Sequence, residues 1–403
     1  MKIAYVTMQF PVPSEAFAAV EIRALRRHDA EITVLACRGA VANAGAMLSE
    51  RSLQDLQVDH GGLGAGLRGL LRMVQRPADS LWLITTIFRH CGHQPLHLLK
   101  ALVQVPRSVD LLLRLEALRP DVVHLFWGHY PSLVGLLVKR RLPGVVVSQF
   151  LGAYDLERRF PLSGLMAQQA DLLLTHAKAN RPAFAALGLP GERVQVAYRG
   201  IEITAQLPAP EKVRGLMVIA ERLVPQKCTE DAIRVFAAVR RDLPHAQLVV
   251  CGMGPESARL QHLSEALGLG ACVRFAGHVP HSEILALLSR AEVALTMSRS
   301  SSERLPNVMK EAMLRRCLCL SSRTAGIEEL IDDGETGLIV DLGDVDTAAN
   351  RLRTLLADPA AVTGIGNRAQ AQIVASFDVD RLMAERLQIW SALRRGDRAG
   401  AAA

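Results

Sequence analysis

Short apolar runs alternate along the chain with longer stretches in which apolar residues recur at helical spacing. The runs form two sets, at residues 2–8, 31–37, 121–127, 144–149, 171–175 and 193–198, and at residues 215–220, 246–252, 273–277, 292–297, 318–322 and 337–340. Short β-rich runs separated by helices indicate parallel strands joined by crossover helices. The pattern therefore predicts an α/β protein with two Rossmann-like domains.

Prolines mark the boundary between the two sets. The stretch 206–212 contains Pro208 and Pro210 and predicts an interdomain linker. We expect an N-terminal domain over residues 1–205 and a C-terminal domain over residues 206–376. Residues 377–395 have the apolar spacing of a capped amphipathic helix and are expected to form a separate C-terminal element.

Charge is divided unevenly between the two halves of the chain. The formal net charge of +7 is made up of +8 in residues 1–200 and −1 in residues 201–403. This division points to an anionic partner for the N-terminal half alone. Aromatic residues make up 4% of the chain, too few for platforms on which single-stranded bases stack, so we expect no nucleic-acid partner.

Residues 61–118 place basic side chains among many leucines. The basic residues are Arg68, Arg72, Arg76, Arg89, Lys100, Arg107 and Arg114. Amphipathic helices that lie on an anionic leaflet, or that shape a groove for a lipid-linked acceptor, have this pattern. Ordinary solvated helix faces around a core explain it equally well. The sequence lacks a cleavable signal and an apolar run of about 18 residues, so we expect a cytoplasmic protein, with a peripheral position at the inner membrane face as one option.

Two groups of residues have types that bind metals. The first is the histidine cluster His90, His93 and His97, in which Pro95 interrupts the helix that would align the ligands. The second is the pair of Asp-x-Asp segments that begin at Asp344 and Asp378, where N-capping of a helix is the simpler explanation. The seven cysteines show no zinc-like pairing. We therefore expect no metal site.

Two carboxylates, Glu303 and Glu311, follow the predicted strand 292–297. Pro306 is expected to be the first helical residue, which places Glu303 in a loop and Glu311 on the helix, both beyond the strand's carboxyl end, where open sheets bind ligands. A carboxylate accepts two hydrogen bonds from a vicinal diol, so the pair suits a hexose and a ribose. The N–H groups of residues 304–307 would face anionic oxygens. The simpler alternative is one N-capping and one surface glutamate.

Basic residues and glycines follow two other predicted strands. Arg222 and Lys227 come after strand 215–220, where a guanidinium and an ammonium would stabilise the charge that develops on a departing nucleoside diphosphate. Surface basic residues are the alternative. Gly252 and Gly254 come after strand 246–252 and permit close backbone approach at a helix start, although an ordinary tight turn needs the same residues.

One segment has the form of a family signature. It reads Glu303-Arg-Leu-Pro-Asn-Val-Met-Lys-Glu311-Ala-Met, followed by Thr324-Ala-Gly-Ile-Glu-Glu-Leu-Ile-Asp-Asp-Gly-Glu-Thr-Gly-Leu-Ile-Val340. This segment resembles the signature of the family-four retaining glycosyltransferases, also called glycosyltransferase group 1. The resemblance implies the GT-B fold, in which two Rossmann-like domains face each other across a cleft and the C-terminal helix crosses back to the N-terminal domain.

The resemblance also implies roles for particular residues. Glu303, Arg222 and Lys227 correspond to catalytic positions. The positions that bind the donor are Glu311, Gly252, Gly254, Val279, Leu305, Pro306 and Asn307. The loop departs from the family pattern at Glu221 and Cys228, where relatives have glycine.

The N-terminal half resembles the family more loosely, through the loop with Ser14 and Glu15 and through the segment that ends at His129. Phe126 replaces the second histidine of that segment. Leu151 stands where many relatives have a histidine that contacts donor and acceptor. His129 or Asp155 could take its place, although both also fit satisfied structural polar groups. We expect Ser14, Glu15, His129 and Asp155 on the acceptor side.

The leading hypothesis is a retaining glycosyltransferase that acts in bacterial-type polysaccharide or glycolipid biosynthesis. It would move a hexosyl group from a nucleoside diphosphate sugar to a glycan or lipid-linked acceptor, with the donor as a substrate and with no cofactor. One alternative is a sugar-nucleotide epimerase on the same architecture. The other is a catalytically silent sugar-nucleotide-binding protein, which Leu151 and Phe126 suggest.

Overall fold

The computed structural model describes residues 1–203, 211–300 and 303–397, without the side chain of Ser14. Most of the predicted linker 206–212 lies outside the described residues. The chain divides into two compact units. Unit 1 comprises Met1–Gly200 and the segment from Val379 onward, and unit 2 comprises Ile201–Asp378.

Unit 1 is built on a parallel sheet. Its strands are β1 (Lys2–Thr7), β2 (Glu31–Ala36), β3 (Gln57–Asp59), β4 (Val122–Phe126), β5 (Val146–Phe150), β6 (Leu172–Thr175) and β7 (Val194–Val196). Within the described residues the sheet has the order β3-β2-β1-β4-β5-β6-β7. β4 and β5 are buried along their whole length, which explains why they read in the sequence as continuous apolar runs.

Helices cover both faces of this sheet. They are α1 (Ala16–Arg27), α2 (Ala44–Glu50), α3 (Leu63–Gln75), α4 (Pro77–Cys91), α5 (Pro95–Val103), α6 (Val105–Leu118), α7 (Tyr130–Arg141), α8 (Ala153–Arg158), α9 (Pro161–Gln169) and α10 (Arg181–Phe184). Ala4 and Val6 of β1 pack in one core with α4, α6 and α7. Ile3 and Tyr5 pack with α1 on the opposite face, as the two-residue period of a strand requires.

Unit 2 repeats the architecture. Its strands are β8 (Val213–Ala220), β9 (Gln247–Cys251), β10 (Val273–Gly277), β11 (Ala291–Thr296), β12 (Leu318–Ser322) and β13 (Leu338–Val340). In the described part of the unit they form a parallel sheet of order β10-β9-β8-β11-β12-β13. Its helices are α11 (Thr229–Arg240), α12 (Ser257–Ala266), α13 (His281–Arg290), α14 (Asn307–Leu314), α15 (Val345–Leu356) and α16 (Pro359–Ser376).

The predicted α/β class and the two parallel sheets are confirmed. Every predicted apolar run overlaps a strand of the structure. Edge strand β3 was missed because Gln57-Val-Asp59 has one apolar residue and so forms no apolar run. Pro306 was expected to be the first helical residue, but α14 begins at Asn307 and Pro306 is its N-cap.

Chain order reverses at one place in each sheet. In unit 1 the reversal lies between β1 and β4, and in unit 2 between β8 and β11. Crossover helices on either side of such a point leave a crevice beyond the carboxyl ends of the two strands, and ligands of open α/β sheets bind there. A ligand-binding site is therefore expected in the loops after these four strands. No helix within the described residues has both the length and the apolarity to cross a bilayer.

The last helix, α17 (Val379–Arg394), belongs to unit 1 and packs against α1 and β5. Trp390 of α17 is fully buried. Arg386 Nη1 donates a hydrogen bond of 3.1 Å to Glu21 Oε2, which also accepts a 3.0 Å bond from the Tyr5 hydroxyl. Arg386 and Glu21 are both almost completely buried, so this ion pair joins α17 to α1 inside the core.

Removing one partner of this pair should destabilise unit 1. Arg386→Met would leave the Glu21 carboxylate buried and uncompensated, which costs about 3–5 kcal/mol in comparable buried pairs. The measurement is urea unfolding followed by tryptophan fluorescence, because Trp82, Trp127 and Trp390 all lie in unit 1.

Two further variants serve as controls for that measurement. The double variant Glu21→Met with Arg386→Met should recover much of the loss, because no unpaired charge remains buried. Arg381→Met removes an exposed arginine from the same helix and should cost less than about 1 kcal/mol. Equal losses from Arg386→Met and Arg381→Met would contradict the assigned role.

Candidate active site

The loops after β8 and β11 are fastened together at the reversal point of unit 2. The Arg299 amide donates a 3.0 Å hydrogen bond to the Gln226 carbonyl, and the Ser298 hydroxyl donates to the same oxygen at 3.2 Å. Ser298 is also tied to Ser322 at the end of β12 by bonds of 2.8 and 3.0 Å. Since Gln226 precedes Lys227, these bonds fix where the lysine side chain begins.

Lys227 lies between two carboxylates. Its Nζ donates a hydrogen bond to Glu303 Oε1 and lies 3.9 Å from Glu221 Oε2. All three side chains are mostly buried, and Glu221 is only 2% exposed. Glu303 Oε2 is buried and accepts no hydrogen bond from the described residues. The structure thus brings together two of the predicted catalytic residues, which lie 76 positions apart in the chain.

Glu221 had no predicted role. Its Oε1 accepts a 2.9 Å hydrogen bond from the Thr229 hydroxyl. Burial raises the pKa of Glu221 to about 8, and the neighbouring Lys227 opposes that rise. The sequence signal was the replacement of a family glycine by an acid, but its burial could be learned only from the fold.

Gly252 and Gly254 are explained by the approach of this same loop. A Cβ on Gly252 would lie 1.8 Å from the Glu221 carbonyl oxygen, and a Cβ on Gly254 would lie 2.1 Å from that of Leu223. Gly252 has a φ of +142°, which disfavours any side chain. The Leu223 amide donates to the Met253 carbonyl at 3.0 Å. The two glycines therefore let the loop after β9 support the loop that carries Lys227.

The start of α14 presents open backbone donors. The Met309 and Lys310 amides both donate to the Pro306 carbonyl. The amides of Asn307 and Val308 have no acceptor among the described residues, as expected for the first turn of a helix. With the helix dipole, they favour an anion at this end. Leu305 and Pro306 are buried and fix the approach to the helix.

Glu311 contacts a different partner from Glu303. Its Oε1 lies 2.8 Å from His281 Nε2. The hydrogen bond to Glu311 raises the pKa of His281. Val279 lines a cavity of about 370 Å³ together with residues of β10 and α13. Arg222 is exposed and has no ion-pair partner within the described residues, so the structure does not bring it into the cluster around Lys227.

The reversal point of unit 1 holds a second cluster. The Trp127 indole donates a 3.0 Å hydrogen bond to Glu15 Oε1. The Arg199 guanidinium lies 3.7 Å from the ring centre of Phe17 and 4.5 Å from that of Trp127. Burial lowers the pKa of Arg199 to about 10 and raises that of Glu15. Sequence reasoning found Glu15 but missed Arg199, a lone arginine without a motif. The side chain of Ser14 lies outside the described part.

A strained turn follows β4. Trp127 and His129 have positive φ values of 85° and 56°, and such outliers often occur at functional sites. The buried Asp155 carboxylate holds the turn by accepting bonds from the amides of Gly128 and Gly152 at 3.1 and 3.0 Å. Burial raises the pKa of Asp155 to about 7, against these hydrogen bonds. The contacts of Asp155 are therefore those of a structural residue that holds this turn in place.

His129 lies beside Asp155. Its Nε2 is 3.7 Å from Asp155 Oδ1, and its ring packs closely on Phe160. Burial is the main cause that lowers the pKa of His129 to about 3, so the ring is neutral at pH 7. Leu151 and Phe126 are fully buried. The positions where relatives have histidines are therefore parts of the core.

The histidines and aspartates considered as metal ligands make other contacts. The His97 ring stacks on Phe160 with centres 4.8 Å apart. Asp344 caps α15 by accepting a 3.1 Å bond from the Thr347 amide, as the sequence predicted. Across the residues that the structure describes, no three His, Cys, Asp or Glu side chains are placed to hold a metal ion.

Residues 202–372 match the family model for glycosyl transferases group 1. This range covers almost all of unit 2 and contains the Lys227 cluster and α14. The match to the group 1 glycosyl transferases therefore lies in unit 2.

Two relatives show how far the likeness extends along the chain. It is 27% identical to the glycogen synthase of Mycobacterium tuberculosis, but the match spans only 58% of this chain and 57% of that enzyme. It is 24% identical to the putative colanic acid biosynthesis glycosyltransferase WcaL of Salmonella typhimurium, over 96% of this chain and 100% of that protein. Similarity to WcaL therefore includes unit 1.

Solved structures show that the chain has the predicted GT-B fold. HepE of Anabaena, in complex with UDP, superposes with a TM-score of 0.73 at 17% identity, covering 97% of this chain and 100% of that chain. HepE in complex with UDP-glucose superposes with a TM-score of 0.68 at 18% identity, covering 96% and 99%. At this identity the likeness shows the fold alone.

The Gly252 contact predicts that Gly→Ala substitutions at two positions differ sharply in their effect on stability. Gly252→Ala would force a Cβ against the Glu221 carbonyl and should lower the stability of unit 2 by about 1–3 kcal/mol or more, as overpacked sites do. The matched control is Gly270→Ala, whose Cβ would meet nothing within 4 Å. Scanning calorimetry measures both melting temperatures. Identical melting of the two variants would mean that the loop adapts.

Burial of Glu221 predicts a pH dependence of stability. The raised pKa means that the folded state holds this proton after the unfolded chain has lost it, so the free energy of unfolding falls as pH rises from 4.5 through about 8. Glu221→Gln has no proton to lose. Its melting temperature relative to the parent should therefore rise across this window and level off beyond it. A difference that is independent of pH would show that Glu221 is not buried as an acid.

Proposed function

We propose that this protein is a glycosyltransferase. It would move a hexosyl group from a nucleoside diphosphate sugar to a glycan or lipid-linked acceptor, with retention of anomeric configuration. The setting would be polysaccharide or glycolipid synthesis at the cytoplasmic face of a membrane. The observation that carries the proposal is the contact of Lys227 with Glu303 at the reversal point of unit 2. Similarity to WcaL, named for colanic acid biosynthesis, supports a polysaccharide pathway.

Lys227 would act on the leaving diphosphate. Cleavage of the sugar–phosphate bond leaves extra negative charge on the diphosphate, and a fixed ammonium stabilises that state more than the intact donor. The open amides at the start of α14 would add donors for the same oxygens. Arg222 would join from the exposed end of its loop. The reaction as proposed needs no metal ion and no cofactor.

The two glutamates of the family signature would hold the sugars. The buried Oε2 of Glu303 has an unused acceptor position, which suits a hexose hydroxyl. Glu311 would bind the ribose, and its present contact with His281 would be exchanged for the ribose hydroxyls. The cavity beside Val279 would accept the base. Bound UDP and UDP-glucose in HepE support a nucleotide-sugar donor.

Unit 1 would present the acceptor. Glu15, together with Trp127 and Arg199, forms a polar and aromatic group beyond β1 and β4, and such groups suit sugar hydroxyls and rings. His129 and Asp155 would act on the acceptor side chiefly by shaping the strained turn. In a retaining transfer the acceptor hydroxyl attacks on the face that the diphosphate leaves, and the departing phosphate helps to take its proton.

The buried Leu151 favours one second candidate, a protein that binds nucleotide sugar without transferring it. A leucine in the core supplies no polar group to the reacting centre. The distinction is experimental, because a silent protein would bind the donor and leave it intact. The epimerase alternative differs again, because it would convert the donor without an acceptor.

Lys227→Ala should slow transfer sharply. Removal of an oriented donor in comparable electrostatic sites lowers turnover by roughly 100-fold or more, and Glu303→Gln should also reduce turnover. The measurement is release of nucleoside diphosphate and movement of radiolabelled hexose into a membrane extract, with uridine and guanosine donors tested separately.

The matched control for that assay is Arg241→Ala, an exposed basic residue of the same unit, which should keep the parental rate. Unchanged turnover in Lys227→Ala would refute the site. A thermal shift with donor but no consumption by the parent would support the silent protein, and a new sugar nucleotide formed without acceptor would support the epimerase.

A further inference from the structure

Helix α3 exposes the face that amphipathic helices normally bury. Its large apolar side chains recur at helical spacing and point to solvent, with exposures of 92% for Leu63, 65% for Leu67, 52% for Leu70, 68% for Leu71 and 80% for Val74. Amphipathic helices of globular proteins turn such a stripe toward the core. Contiguous apolar surface of this kind marks an interaction site.

Small residues explain how α3 is held in this orientation. Ala65 and Gly69 are buried, and α3 packs against α6. A Cβ on Gly69 would lie 2.2 Å from the Pro106 carbonyl oxygen. The helix can therefore approach α6 closely only through its glycine side, and this approach leaves the leucines outward.

The next two helices also expose apolar side chains. Leu81 and Phe88 of α4 are 64% and 52% exposed. In α5 the exposed residues are Leu96, Leu99 and Val103. The three helices follow one another in the chain, and α4 contacts both α3 and α5. We call the exposed apolar residues of α3, α4 and α5 the leucine face.

The charges that accompany the leucine face have one sign. Residues 61–104 contain five Lys or Arg residues and a single acid, Asp79. Asp79 is buried and paired with Arg140 and Arg141 of α7, so it does not offset the exposed charge.

Not all five basic residues are available to a partner. Arg68 and Arg76 are already ion-paired with Asp110 and Glu116 of α6. Three others are exposed and have no ion-pair partner among the described residues: Arg72, Arg89 and Lys100.

We propose that the leucine face docks onto the surface of an anionic lipid bilayer. Apolar side chains would enter the region between headgroups and acyl chains, while Arg72, Arg89 and Lys100 contact acidic headgroups, as long basic side chains do at membrane interfaces. A second copy of the chain is a poorer occupant, because pairing the face with itself would bring like charges together. The proposal does not rest on the glycosyl transfer.

Flotation with vesicles tests this directly. The full chain should float with phosphatidylcholine vesicles that contain phosphatidylglycerol, float less with pure phosphatidylcholine, and lose most binding at high salt, because surface charges are screened. The variant Leu67→Gln with Leu71→Gln and Val74→Thr should bind at least tenfold less. Since all three side chains are exposed, the tryptophan fluorescence of the folded protein should not change.

Matched variants separate this face from general surface effects. Leu267→Gln with Val374→Thr changes exposed apolar residues of unit 2 and should float like the parent. Charge reversal of the three available basic residues should weaken flotation at low salt. Reversal of Arg214, Arg241 and Arg395, which are exposed elsewhere, should weaken it much less.

Several outcomes would overturn the proposal. One is a parent that binds neutral and anionic vesicles equally or not at all. Another is a leucine-face variant that floats like the parent. Sedimentation that shows a dimeric parent and a monomeric leucine-face variant, without vesicle binding, would assign the face to self-association. Donor binding, followed by thermal shift, should be the same in all these variants, so failure here would not bear on the glycosyltransferase assignment.

Discussion

The organisation of unit 2 depends on the placement of one ammonium group between two buried carboxylates. Lys227 neutralises Glu303, which would otherwise be a charged oxygen in a poorly solvated pocket, and lies near Glu221, whose raised pKa keeps it protonated at neutral pH. An incoming diphosphate would compete with Glu303 for this lysine. If Lys227 binds the diphosphate as proposed, the free protein keeps this lysine paired with Glu303, and the ligand must replace that pairing.

The loop that carries Lys227 is held almost entirely by backbone hydrogen bonds. Loops after β8, β9 and β11 contact one another through amides and carbonyls, and Gly252 and Gly254 let the chains approach closely enough for these bonds to form. Unit 1 uses a different device at its own reversal point, where the Asp155 carboxylate holds a strained turn by two amides. Unit 2 thus fixes a polar side chain through backbone contacts, whereas unit 1 fixes a backbone turn through a polar side chain.

These contacts explain why only part of the fold and of the site could be predicted from the sequence. Strands buried on both faces read as continuous apolar runs, so the class and the strand positions could be predicted, whereas β3, which has one apolar residue among its three, could not. Lys227 and Glu303 could be selected by resemblance to a family, but their contact joins loops 76 positions apart and depends on how those loops are fastened. Arg199 carries no motif, and its burial among aromatic rings follows only from the fold. The roles proposed for all of the site residues, Lys227 and Glu303 included, stay predictions.

The position of α17 bears on how the protein acquires its structure during synthesis. This helix supplies Trp390 and Arg386 to the core of unit 1, although every residue of unit 2 precedes it in the chain. Residues 1–200 thus leave the ribosome without part of their own interior, while unit 2 has all of its residues before α17 is made. Completion of unit 2 should come first, and closure of unit 1 must wait until α17 has been made.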